Sequence, residues 1–432
     1  MKAMKSNLHK FLYGAALATV VAGGTSCKKD FTDPSAISAA QAFTTPASIT
    51  GVAVSLQRVY TAGRASSLYN KVVIDGLLTR QDSILNAGNI PENQLWLGGG
   101  NVDATNTMLA GLWTSSNKIV FDANNVIAGA RNLGDRNYGS GLIAYATLFK
   151  ALAVGDMATF WEQVPTGTGQ SISFQTRAAA LTSILSEIDG ALAAMTANAP
   201  SAAVLANLPA GIDLPNSLQA LKARYSLMLG NYQAALTAAN AVDLTKKSVF
   251  SFSLVNPNPI WETVTSTNNV VAATPYLGLP ASLPADPADK RLPFYLQNTS
   301  ISATAGFAAT NITSWPIYLP GEITLIKAEA YARMNPPDLN SALTELNKVI
   351  TKQRSVDPFG VGAELPAVNL TTQQAILDEI YRQRAIELTQ SGLRLEDMRR
   401  FNRPLAERKR NFLPYPFQER DNNPNTPPDP QF

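Results

Sequence analysis

The chain has 432 residues, with 35 Lys and Arg against 32 Asp and Glu, 45% hydrophobic and 16% charged, which is the balance of a globular protein. Its single histidine, His9, and single cysteine, Cys27, both lie in the first 27 residues; a chain cut before Cys27 has no imidazole and no pair of thiols, which excludes Ser-His-Asp and Cys-His catalysis, zinc fingers and internal disulfides. The same cut removes Lys2, Lys5 and Lys10 and no acid, so the formal charge falls from +3 to zero and leaves no electrostatic reason to bind nucleic acid.

Residues 1–10 are basic, residues 11–22 apolar or small, and Gly23-Gly24-Thr25-Ser26 precede Cys27. That is the order of a secretory signal peptide. The apolar run falls short of the roughly 20 residues a spanning helix needs, and no later run is expected to reach it. A cysteine directly after small residues resembles a bacterial lipobox, with Gly24 where Leu is usual. It predicts a signal peptide over residues 1–26, removed before lipidation of Cys27, and acyl chains that hold the protein at a membrane surface.

Beyond a polar tether at residues 28–33, helical periodicity dominates. Thr45-Pro46 forms an N-cap and N1 pair. Ile49, Val52, Leu56, Val59 and Tyr60 follow at three- and four-residue steps. Residues 112–130, 142–161 and 177–195 repeat the pattern, which implies helix packed on helix. Residues 220–229, a Gly230-Asn231-Tyr232 turn and residues 233–240 form a helical hairpin that resembles a tetratricopeptide unit. Residues 322–333, a Pro336-Pro337-Asp338 turn and residues 342–354 form a second. Residues 76–111 and 245–320 break the pattern with Gly, Pro, Ser and Asn, and both are too long for simple connections. The Pro- and Asn-rich tail from Asn411 is expected to pack as an extended segment on the surface.

Several motifs share an order and spacing. Lys28-Lys29-Asp30-Phe31 follows the cysteine, and Asp122-Ala123-Asn124-Asn125-Val126-Ile127 lies in a helix. Residues 144–152 run into Phe160-Trp161-Glu162-Gln163-Val164-Pro165. Asp289-Lys290-Arg291, residues 322–330, residues 376–400 and Leu413-Pro414-Tyr415-Pro416 complete the set. Together they resemble the SusD/RagB family of nutrient-binding outer-membrane lipoproteins, over nearly the whole chain after Cys27. Gln383, Leu319 and Ser391 depart from the family pattern, and the chain is short for it, which implies trimmed insert loops.

The resemblance implies a mostly α fold in which tetratricopeptide-like helix pairs carry long irregular inserts. It implies a single domain over residues 27–432, with a first half to about residue 240, a loop-rich insert at 245–320 and a helical part from 321. It further implies a lipid-anchored, surface-exposed outer-membrane protein. Such a protein captures an oligomeric nutrient, usually a glycan, and passes it to a SusC-like TonB-dependent transporter, with no catalysis and no cofactor. Alternatives are peptide uptake in place of glycan uptake, and a scaffolding lipoprotein that binds only protein. A hydrolase would need a marked carboxylate pair, and no spacing marks one.

A glycan-binding surface needs flat aromatic faces and planar polar groups. The 76–111 stretch offers Arg80, Asp82, Trp96 and Asn101, and the 245–320 insert would add Trp261 and Tyr276 as a second side. Trp113 and Trp315 are expected to be core. The basic run from Arg394 to Arg410 is expected to tie helices to carboxylates and carbonyls. Ser115-Ser116-Asn117-Lys118 matches a nucleophile motif without its companions, Gly98-Gly99-Gly100 lacks the Lys of a phosphate loop, and Asp421-Asn422-Asn423 lacks the spacing of a calcium loop. No metal or nucleic-acid site is expected.

Overall fold

The computed structural model describes residues 43–264, 270–296 and 306–432. His9, the signal segment, Cys27 and the Lys28–Phe31 motif lie outside the described residues. Among the described residues, sixteen helices form the scaffold: α1 (Pro46–Thr61), α2 (Ser67–Leu78), α3 (Ile90–Leu97), α4 (Thr107–Arg131), α5 (Arg136–Phe160), α6 (Arg177–Ala197), α7 (Ala202–Asn207), α8 (Leu214–Met228), α9 (Tyr232–Asn240), α10 (Pro259–Val264), α11 (Leu292–Tyr295), α12 (Pro320–Arg333), α13 (Leu339–Ile350), α14 (Gln373–Glu387), α15 (Arg394–Arg400) and α16 (Phe417–Asn422). Six strands of two or three residues pair antiparallel in three ribbons: β1 (Asp82–Ile84) with β5 (Val271–Ala273), β2 (Gln163–Pro165) with β3 (Phe174–Thr176), and β4 (Val249–Phe250) with β6 (Trp315–Pro316).

The fold is mostly helical, as expected. Thr45 caps α1 in a capping box with Ser48, and Pro46 takes the first turn, where its missing N–H costs nothing. α4 and α5 fold back on one another across a four-residue connection and pack along their length, with α6 on the far side of α5. Gly230 closes α8 in the left-handed region, at φ 74°, and the Asn231 N–H reaches back to the Ser226 carbonyl at 2.9 Å. This 6→1 bond is the Schellman closure that only a residue without a Cβ accepts at little cost. It turns the chain directly into α9. The second hairpin, α12 and α13, starts its return helix at Asp338, whose side chain caps the Ser341 N–H at 3.0 Å.

The tail from Asn411, expected to lie extended on the surface, buries Leu413 and Tyr415 and forms α16. Two further features differ from the expectation. The first is α2, which has no amphipathic period because all twelve of its residues are buried, wrapped by α1, α4 and the β1 segment. A helix buried on every side lacks the polar stripe that betrays a surface helix. The second is that α5 and α6 are both long and apolar enough to cross a membrane by length and composition. In α5, 89% of that apolar window is buried inside the protein, so its apolarity serves the core. α6 carries Glu187 and Asp189, which pair with Lys150 of α5 and Lys222 of α8.

The shared motifs mark buried ion pairs and one aromatic junction. Arg291 is fully buried and joins Asp289 (2.6 Å), Glu387 (2.9 Å) and the Gln383 amide oxygen. Lys352 adds a second cation on Glu387 at 2.6 Å. Glu322 takes both arms of Arg224, at 2.6 and 2.8 Å. Arg384 grips Asp397 with two 2.9 Å bonds, and Arg400 grips Glu329. Such planar forks satisfy both oxygens of a desolvated carboxylate, which a buried charge requires. At the junction, Leu413 donates its N–H to the Phe160 carbonyl, and Trp161 donates its indole N–H to the Pro414 carbonyl. Trp113, buried as expected, meets Trp161 edge-on at 4.8 Å. Trp315 is buried in β6.

Candidate binding face

The end of α2 sets up the site. Thr79 caps α2, with its N–H and its hydroxyl both directed at the Asp75 carbonyl. Arg80 then adopts φ 62°, which reverses the chain into β1. From the distant insert, β5 pairs with β1, and Thr274 donates its N–H to the Gln81 carbonyl (2.7 Å) and its hydroxyl to the Arg80 carbonyl (3.0 Å). The chain turns again at Leu277 and Gly278. A Cβ on Gly278 would stand 2.5 Å from the Thr79 carbonyl oxygen, so this approach requires glycine. The two long inserts are thereby bonded together, and Tyr276 sits at the apex of a turn pinned to Arg80. Its ring is half exposed, at 50%.

A third segment completes the face. The Lys409 N–H bonds to the Leu78 carbonyl (2.7 Å), and its carbonyl accepts from the Gly99 N–H (2.9 Å). Gly98 lies at φ 72°, where a Cβ would stand 2.4 Å from the Lys409 Cβ. Lys409 therefore bridges the end of α2 to the end of α3. Its ammonium stands 4.7 Å from the centre of the Trp96 ring, a cation–π contact. Arg80 bonds the Ala406 carbonyl at 3.1 Å. Burial, and then the charge of Arg80, hold the Lys409 ammonium below the usual lysine value. Arg410 stacks over the ring of Phe432 and bonds the Gly99 and Val102 carbonyls. Phe432, Leu405 and Leu97 are exposed around it. The result is an open surface of aromatic rings, aliphatic side chains and two cations.

Of the residues singled out from the sequence, Arg80, Trp96 and Tyr276 come together here. Asn101 is exposed beside them, on the short turn after α3, and spends its amide N–H on the Gly98 carbonyl. Asp82 corrects the expectation of a surface ligand: it is fully buried in β1, with its carboxylate against the Cα of Gly76. Neither oxygen has a partner at full hydrogen-bond geometry among the described residues, and the Gln390 side chain offsets the burial only in part. Burial, and then the neighbouring charge of Asp75, push its carboxyl up to about 7. Trp261 lies on α10, partly buried where that helix meets α2 and β5. It makes none of the contacts that hold the face together.

Lys409, Leu405 and Phe432 were missed from the sequence. They sit in a basic run and a Pro-rich tail, and only the chain's return past α2 and α3 brings them to the face. In the rest of the basic run, Arg399 bonds the Asn411 carbonyl and Arg403 bonds Glu407, as expected. Arg394 departs from that pattern: its guanidinium has no hydrogen-bond partner among the described residues and stacks on Tyr381 at 4.3 Å. The interior also holds a cavity of about 40 Å³, lined by Tyr60, Lys71, Arg224, Tyr318 and Glu322. That is room for a few water molecules and no more, so the open face is the better candidate for an oligomeric ligand.

Residues 250–428 match the model of the SusD family. The fold agrees with it. A SusD superfamily protein from Bacteroides fragilis superposes with a TM-score of 0.65 at 17% identity, over 89% of this chain and 99% of that one. A laminarin-binding SusD-like protein gives 0.64 at 15% identity, over 90% and 99%. The B. fragilis protein NanU gives 0.63 at 13% identity, over 92% and 99%. The fold is that of SusD. No curated protein matches this chain by sequence. The SusD family match spans the buried Arg291 cluster, the α12–α13 hairpin and the Lys409 segment. The N-terminal side of the face, with Arg80 and Trp96, lies outside it.

Proposed function

We propose that this protein is a lipid-anchored binding protein of the outer membrane that captures an oligomeric glycan. It performs no chemistry on the ligand and delivers it to a SusC-like TonB-dependent transporter. The observation that carries this reading is the joining of the two long inserts into one face bearing Trp96, Tyr276, Arg80 and Lys409. Aromatic faces cover the C–H side of a sugar ring, while guanidinium, ammonium and amide groups bond its hydroxyls. The SusD-like fold shared with a laminarin-binding protein supports the same ligand class.

A glycan array set beside a peptide panel tests the reading, with wild type compared to a Trp96→Ala, Tyr276→Ala double variant. Glycan binding that weakens at least tenfold in the variant is the expected result. Binding confined to peptides would move the ligand to the other class, and unchanged glycan affinity would remove the face from the mechanism. Co-purification with a large β-barrel protein tests the transporter partnership, and acyl mass on a peptide beginning at Cys27 tests the anchor.

A further inference from the structure

A second concavity lies away from this face, between α4 and α16. It is a groove of about 490 Å³, a size ordinary for a small-ligand site. α4 presents Trp113, Asn117 and Phe121 to it at four-residue steps, so all three lie on one side of the helix. α16 presents Gln418, Glu419 and Asn422 opposite. The end wall is the glycine-rich tip of the β2–β3 ribbon.

The hydrogen bonding of these residues shows what remains on offer. Trp113 is buried to its indole N–H, which donates to one oxygen of Glu419 at 3.0 Å, and Asn423 donates to the other at 2.8 Å. Lys118 is paired with Asp122 at 2.8 Å. The Lys118 charge is therefore answered by Asp122, whereas Glu419 keeps its negative charge and is held by two neutral donors. The amides are different. Asn117 donates to the Trp113 carbonyl and Asn422 to the Gln418 carbonyl, and in both the side-chain oxygen stays open. The Gln418 side chain is exposed and makes no hydrogen bond among the described residues. Phe121 is 53% exposed and has no ring or cation partner among them.

One open aromatic face, amide donors and acceptors, and a single carboxylate held by neutral donors match an uncharged pyranose ring, with C–H bonds on its face and hydroxyls at its rim. We propose that the groove between α4 and α16 is a second sugar site that holds one or two residues of a neutral glycan. This rests on the glycan reading above and extends it to a second point of attachment. Two attachments on one oligomer raise the effective concentration at each and strengthen retention without any new contact.

The five tryptophans separate the two sites. The full protein labelled with 5-fluorotryptophan gives a fluorine NMR signal for Trp113, whose N–H bond ends on a groove residue, and another for Trp96 on the first face. The probes are laminarihexaose, maltohexaose, cellohexaose and xylohexaose. The expected result is that a hexasaccharide shifts Trp113 saturably. In a Phe121→Ala, Gln418→Ala variant that titration weakens at least fivefold while the Trp96 response persists, and Phe121→Tyr restores it. If the panel shifts Trp96 and leaves Trp113 unmoved, the groove site is overturned and the first face stands. If neither signal moves, both readings fall. A Trp113 shift that survives the double variant with unchanged affinity also overturns the proposal, because it then arises outside the groove.

Discussion

Asp82 is a carboxylate the fold would hold more easily without its charge. It is fully buried, lacks partners at full hydrogen-bond geometry among the described residues, and is pushed from 3.8 to about 7 by burial first and by the charge of Asp75 second, with the Gln390 side chain opposing both. A carboxyl with a raised folded-state value binds its proton more tightly in the native chain than in the unfolded one. The charge therefore destabilises the fold fully above pH 7, and the penalty fades as the pH falls toward 4. The interval from 3.8 to about 7 is worth on the order of 4 kcal/mol. Asp82→Asn keeps the shape and removes the charge. It should stabilise the protein by about 4 kcal/mol at pH 8 and by less than half of that, roughly 2 kcal/mol, at pH 5. For a chain of this size that corresponds to a rise of roughly 5 °C in Tm at pH 8. Urea titrations of wild type and variant at pH 8, 6 and 5 measure it. A variant less stable than wild type at pH 8 would refute the reasoning, as would a difference that does not change with pH, because either result means that the charge is held favourably.

Three further outcomes follow from the same geometry. Arg291→Met leaves Asp289 and Glu387 buried with Lys352 as their nearest remaining cation, and should cost about 3–5 kcal/mol in urea unfolding at pH 7. Gly278→Ala places a methyl against the Thr79 carbonyl at a positive φ, so it should lower Tm and loosen Tyr276, read as faster amide exchange over residues 274–279. Lys409→Met keeps the aliphatic stem against Gly98 and deletes the charge over Trp96. Affinity for a neutral glycan should fall several-fold through the lost hydroxyl bond with little dependence on salt, whereas a loss that vanishes at high salt would identify an anionic ligand.

The helical scaffold was legible because its signals are local. Thr45-Pro46 starts a helix, Gly230 ends one, and the three- and four-residue steps of α4, α5 and α6 need no distant partner to be read. α2 escaped for the opposite reason. Its sequence mixes Asn70, Lys71 and Asp75 with apolar residues, and only the tertiary structure gives Lys71 and Asp75 their buried partners. Asp75 accepts the N–H groups of Arg394 and Leu395, and Lys71 meets Asp156 at 3.2 Å. A residue whose partner lies 85 or 320 positions away carries no mark of burial in its own neighbourhood.

The binding face shows the same division more sharply. Trp96 and Tyr276 could be nominated because aromatics in irregular segments are unusual, and Arg80 because it stood near one of them. What joins them is the β1–β5 ribbon, only three residues long on each side, together with two glycines that allow the backbones to touch. Asp82 was nominated by the same proximity in sequence. In a strand, however, successive side chains point to opposite faces, and the pairing with Ala273 directs Asp82 inward against Gly76. Strand direction thus decides between ligand contact and core for residues that are neighbours in the chain. Lys409 reverses the case: its neighbours Arg399, Arg403 and Arg410 serve helix ends and carbonyls, while its own backbone bonds to Leu78 and Gly99 hold its ammonium over Trp96. The face is therefore a property of three chain segments meeting, and a substitution that separates them, such as Gly98→Ala with its Cβ driven into Lys409, should dismantle the site while leaving every aromatic in place.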